Sequence, residues 1–127
     1  MAHFILEYSA NLDPKVNVSS LLQAIVDQAV ATGVFPRAGC RARAHRCDDY
    51  FVADGRAEFA FVHLQVRMGA GRSDGEKAST QEALIDVLKA ELQSVMASQG
   101  VAVSLELVEL PLHKANLNNI REYLNAE

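Results

Sequence analysis

The chain has no tryptophan, two cysteines and three prolines, and only 6% of its 127 residues are aromatic. Each scarcity removes a class of protein. Two cysteines cannot form the framework of a disulfide-rich secreted domain, and Cys40 and Cys47, with six residues between them in one expected strand, would face opposite sides or lie far apart. They are expected as free thiols in a reducing compartment. Positive charge is also in deficit, 12 Lys+Arg against 16 Asp+Glu for a net charge of −4, which argues against nucleic acid or an anionic membrane as the main partner. Any cationic site must be local.

No run approaches the roughly 20 apolar residues that cross a bilayer, and the start MAHFILEYSANLD carries neither a basic segment nor a cleavage pattern. A cytoplasmic protein is the expectation. Half of the residues are apolar, enough for one real core at this length. With no low-complexity run and no long Gly/Ser/Pro linker, a single domain over 1–127 follows.

Residues 2–8, AHFILEY, read as a strand apolar on both faces, and Val18, Leu21, Leu22, Ile25, Ala29 and Val30 then recur at helical spacing over 17–32, with Gly33 as a stop. CRARAHRC alternates with a period of two and predicts a second strand. Asp54-Gly55 is a turn signal, and EFAFVHLQVRM resumes as a largely buried strand over 57–68, so these two strands are expected to form a hairpin. Ser73 and Glu76 have capping-box spacing ahead of a long helix faced by Leu84, Val87, Leu88, Leu92 and Val95. Gly100 ends it. VAVSLELVEL, 101–110, is the last strand, and Leu117, Ile120 and Leu124 suggest a short terminal helix.

The chain is thus α/β, of the α+β kind, with two β-α-β units at about 2–56 and 57–110 and a tail over 111–127. Two architectures fit that order. One is a ferredoxin-like sandwich; the other is a duplicated β-α-β protein whose subunits pack into rings.

Two constellations could carry chemistry. Arg41, Arg43 and His45 share one face of the second strand, and Gly39 allows a ligand to approach Arg41 closely. An exposed sheet face or an intersubunit salt-bridge row would use the same residues. In Gly69-Ala70-Gly71-Arg72-Ser73, glycines and a helix start favour an anion, and Arg72 strengthens the preference. A plain strand-to-helix turn would also look like this. His63 reads as a hydrogen-bonded histidine of a core or interface, and Cys40, His45 and Cys47 do not share a face, so no metal site is expected.

Taken together, AHFILEY, ATGVFPRAGCRARAH, ADG and FAFVHLQVRMGAGRS resemble the 5-carboxymethyl-2-hydroxymuconate isomerase family of the tautomerase superfamily. The resemblance spans nearly the whole chain. It implies a duplicated β-α-β subunit with a mixed four-stranded sheet and two helices on one face, a homotrimer, no metal or organic cofactor, and a small carboxylate substrate. The implied activity is ketonisation of a dienol di- or tricarboxylate in homoprotocatechuate degradation.

In that family the base is the amine of an N-terminal proline exposed by methionine removal, assisted by arginines that match Arg41 and Arg72. Here Ala2 follows Met1. The resemblance therefore makes the Ala2 amine, Arg41 and Arg72 the catalytic candidates, with Arg41, Arg72, Arg43 and His45 as substrate-binding candidates. Weakened or altered catalysis is one expectation from the missing proline; an inactive, carboxylate-binding or structural trimer is the other.

Overall fold

The structure is a computed structural model that describes residues 1–125. Its regular elements are β1 (Ala2–Ser9), α1 (Val18–Ala31), β2 (Cys40–Cys47), β3 (Ala60–Met68), α2 (Asp74–Met96), β4 (Val101–Glu109) and α3 (Ile120–Asn125). The tail residues 126–127 lie outside the described residues.

Local chemistry sets the helix ends. Asn17 caps α1 by accepting from Ser20 N, and Ser73 and Glu76 close a reciprocal capping box on α2. Leu21, Ile25 and Ala29 on α1 and Leu84, Leu88, Leu92 and Val95 on α2 then bury one stripe of each helix. Both stripes join a single core with Ala2, Phe4 and Leu6 of β1 and Val62, Leu64, Val66 and Met68 of β3.

The strand order is β2-β1-β3-β4. β1 pairs β2 in parallel and β3 antiparallel, and β3 pairs β4 in parallel. Each β-α-β unit therefore has one central and one edge strand, and the two units join through β1 and β3. This mixed sheet, with α1 and α2 on one face, is the duplicated architecture and excludes the ferredoxin-like alternative.

Two expectations are corrected. The second and third strands form no hairpin, because β1 lies between them and residues 48–59 must step across two strand spacings of about 4.8 Å each. The turn at Asp54-Gly55 is real, with Gly55 N donating to Val52 O and Gly55 at φ 85°, but it sits inside a longer crossing. Asn11 ties that crossing to the end of β1 by donating to Ala57 O and Phe59 O. The first and third strands are also not buried on both faces: burial alternates along them, and the face of His3, Ile5, Glu7, His63 and Gln65 carries no helix.

On that open face His63 is hydrogen-bonded, as expected, to Ser104 Oγ at 2.6 Å and Glu106 Oε1 at 3.2 Å. Cys40 and Cys47 are both free. No described helix is long and apolar enough to cross a membrane.

Candidate active site

Strand register brings distant parts of the sequence to one end of the sheet. Ala2 pairs with Cys40, the first residue of β2, and with Met68, the last of β3. The chain start, the turn before β2 and the loop after β3 must therefore meet. Residues 1, 36–41 and 69–72 lie together at this end of the sheet.

Arg72 spans the two halves. Its Nη1 donates to Gly69 O at 2.9 Å and its Nη2 to Val34 O at 3.4 Å, while the guanidinium lies 4.8 Å from the centroid of the buried Phe35 ring. Gly71, at φ 107°, supplies the left-handed backbone that turns Arg72 inward. Arg41 approaches from β2, its Nη2 lying 3.8 Å from Met1 Sδ. Gly39 packs on the chain start so closely that a Cβ there would touch Met1 Cα at 3.4 Å and Met1 N at 3.5 Å.

The electrostatics are unusual for a surface. Arg41 Nη1 and Arg72 Nε are buried and have no hydrogen-bond partner among the described residues. Such groups are costly unless an acceptor occupies the site. Burial first, then the charges of Arg72 and Arg41, lower the pKa of the Met1 amine from the ordinary value of 8.0, with Lys114 adding to the effect and Cys40 opposing it. Burial likewise raises the Cys40 thiol, which leaves it protonated and a poor nucleophile.

The expected residues divide. The chain start, Arg41 and Arg72 come together. Arg43 lies farther along β2, its Nη1 3.2 Å from His3 Nδ1, and His45 pairs in register with Glu7, about 13 Å along the strand from Arg41. His3 itself is flanked by Arg41, Arg43 and Arg67, and burial followed by these charges lowers its pKa. No group of three or more His, Cys, Asp or Glu residues among the described residues could hold a metal.

A cavity of about 350 Å³ opens beside the chain start, lined by Met1, Pro36, Ala38, Gly39, Asn118 and Arg121. Asn118 and Arg121 are additions that sequence reasoning missed. Asn118 Nδ2 donates to Ala38 O at 2.8 Å, a contact between residues 80 apart that no local pattern announces.

A model of the 5-carboxymethyl-2-hydroxymuconate isomerase family matches residues 2–124. The chain belongs to that family. It is 36% identical over 121 residues to the 5-carboxymethyl-2-hydroxymuconate Delta-isomerase of Escherichia coli, covering 94% of this chain and 96% of that one. A crystal structure of a 5-carboxymethyl-2-hydroxymuconate isomerase from Deinococcus radiodurans R1 superposes with a TM-score of 0.90 at 36% identity, over 97% of this chain and 93% of the other. A fused 4-OT symmetric trimer shares the fold at 17% identity and a TM-score of 0.65, covering 91% of this chain and 93% of that one.

Proposed function

We propose that the chain ketonises a dienol di- or tricarboxylate of the 5-carboxymethyl-2-hydroxymuconate type, in aromatic-compound degradation, with no metal or organic cofactor. The supporting observation is the pair of buried, unpartnered guanidinium nitrogens of Arg41 and Arg72 beside the chain start. They supply charge where a dienolate oxygen and its neighbouring carboxylate would develop or hold negative charge.

Removal of Met1, favoured by the small Ala2, vacates the space against Gly39, Arg41 and Asn118 and leaves the Ala2 amine at the mouth of the sheet. That amine takes the proton of the 2-hydroxyl as the dienolate forms, and returns it to the distal carbon as the ketone forms. Arg41 and Arg72 bind and stabilise the anion throughout. Their charges also keep the amine unprotonated at lower pH than an ordinary terminus. A primary amine on Ala2 lacks the ring that holds a proline nitrogen rigid, so the rate is weaker than proline would give.

Arg43 and His45 act, in this reading, on the substrate only at long range. The working form is a cytoplasmic homotrimer that engages neither nucleic acid nor membrane; the symmetric trimer assembled by the 4-OT relative supports the oligomer. The test is dienol ketonisation by the protein and its Ala2→Pro variant. A measurable rate that rises about tenfold or more with proline is expected; equal, background rates in both would sink the proposal. A second reading, carboxylate binding without turnover, draws on Met1, whose sulfur lies 3.8 Å from both Arg41 Nη2 and Asn118 Nδ2; its retention would leave Ala2 N a peptide amide that cannot serve as the base.

A further inference from the structure

One wall of the cavity takes no part in proton transfer: the segment leading into α3. Asn118 fixes it twice over. Its Nδ2 donates to Ala38 O at 2.8 Å, and its Oδ1 accepts from Ile120 N at 2.8 Å, so the first turn of α3 is held over the turn at Arg37–Gly39. Arg121 in that turn consequently lines the cavity together with Met1 and Gly39.

Arg37, Arg46 and Arg56 each hold an aspartate, whereas Arg121 makes no ion pair with any described residue. Lys114, from the same segment, is near enough for its charge to lower the pKa of the chain-start amine. The tail thus brings positive charge to a cavity lined by Met1, whose sulfur lies 3.8 Å from Arg41 Nη2 and whose amine feels the charges of both Arg72 and Arg41. On the isomerase reading, those two arginines take one carboxylate and the dienolate oxygen. A further guanidinium on a separate wall suits a further anion.

We propose that Arg121 binds a second substrate carboxylate, remote from the dienol, and makes the site selective for dienols bearing two or more carboxylates over monocarboxylates. The inference rests on the isomerase reading and names the specificity residue of that same site. Arg121 is exposed on a short helix, so its replacement leaves the core intact.

Steady-state ketonisation of 5-carboxymethyl-2-hydroxymuconate, a tricarboxylate, and of 2-hydroxypenta-2,4-dienoate, a monocarboxylate, tests it in the full-length protein, Arg121→Gln and Arg121→Lys. Calorimetric binding of propane-1,2,3-tricarboxylate, which does not isomerise, runs alongside. In Arg121→Gln the KM for the tricarboxylate should rise roughly tenfold or more, with kcat within about twofold and the monocarboxylate unaffected. Arg121→Lys should restore part of the loss. Equal changes for both substrates, or none for the tricarboxylate, would overturn the assignment. If the unmodified protein turns over neither substrate, the isomerase reading fails on its own, and calorimetry still decides the role of Arg121. A weaker affinity in Arg121→Gln supports it; an unchanged or undetectable affinity in both proteins refutes it.

Discussion

The two β-α-β units present similar strand pairing twice, yet among the described residues only one of them ends beside buried arginine nitrogens without a partner. Ala2 opens central strand β1 and pairs with Cys40, the first residue of β2; Ala60 opens central strand β3 and pairs with Val101, the first residue of β4. Both alanines are buried. Ahead of Ala60, however, the chain continues into Phe59, whose ring lies so close to Gly100 that a Cβ there would meet it at 2.8 Å. Ala60 N is bonded to Gly100 O at 3.0 Å, and Arg56 stacks over the Phe59 ring at 4.7 Å.

At the first end the corresponding places hold the chain start, Gly39 and Arg41; at the second they hold Phe59, Gly100 and Ala102. Duplication copied the location but not the chemistry. The chain start, a close-packed glycine and arginine nitrogens with no partner among the described residues coincide at one end, while the Phe59 ring fills the other. The fold alone therefore says where a site can be, and side chains say which copy is used.

Substitutions that treat the two ends alike should give unlike results. The largest difference is expected between their arginines. Arg72→Gln removes a donor from the place where negative charge develops and should lower kcat/KM about 10²- to 10³-fold, whereas Arg56→Gln, which loses only an exposed pair with Asp54 and a ring contact, should leave it within about twofold. Steady-state kinetics of both variants measures this contrast.

The glycines should separate stability from activity. Gly100→Ala drives a methyl group into Phe59 and should destabilise the fold by about 1–3 kcal/mol in urea unfolding with kcat little changed. Gly71→Ala meets no atom within 4 Å but strains a residue at φ 107°; about 1 kcal/mol of stability is lost and Arg72 is misplaced, so activity falls further than stability.

The smallest effect is in pH dependence. The Met1 amine and His3 both have lowered pKa values, so the folded state binds fewer protons than the unfolded state as pH passes between the folded and ordinary values. Stability should accordingly rise with pH through that window, below about 8 for the amine and below about 6.5 for His3, and be lost as pH falls. Urea titrations across pH 5 to 9 should show the slope at low salt. Its absence would mean that the first end is as well solvated as ordinary surface.

Features encoded by near neighbours were legible in the sequence. Asn17, Ser73 and Glu76 announced their helix starts because caps are satisfied within three residues, and the leucines at 84, 88 and 92 announced the buried stripe of α2 by their spacing. Arg41 and Arg72 were legible as polar residues beside glycines, and the family resemblance joined them. Strand pairing was not local: the Asp54-Gly55 turn suggested a hairpin, but it cannot reveal that β1 is already seated between β2 and β3. Nor could Asn118 and Arg121 be found from spacing, since their place in the cavity depends on a hydrogen bond to Ala38 O across most of the chain.

The central claim is that a free amine at the first end, standing between Arg41 and Arg72, moves the proton. It is tested most directly by comparing dienol ketonisation by two preparations of the same protein, one with Met1 removed, as verified by intact mass, and one with the Ala2 amine blocked by acetylation. At equal folded concentration, the free-amine form should be faster by about 10²-fold or more. Equal rates in the two preparations would contradict it.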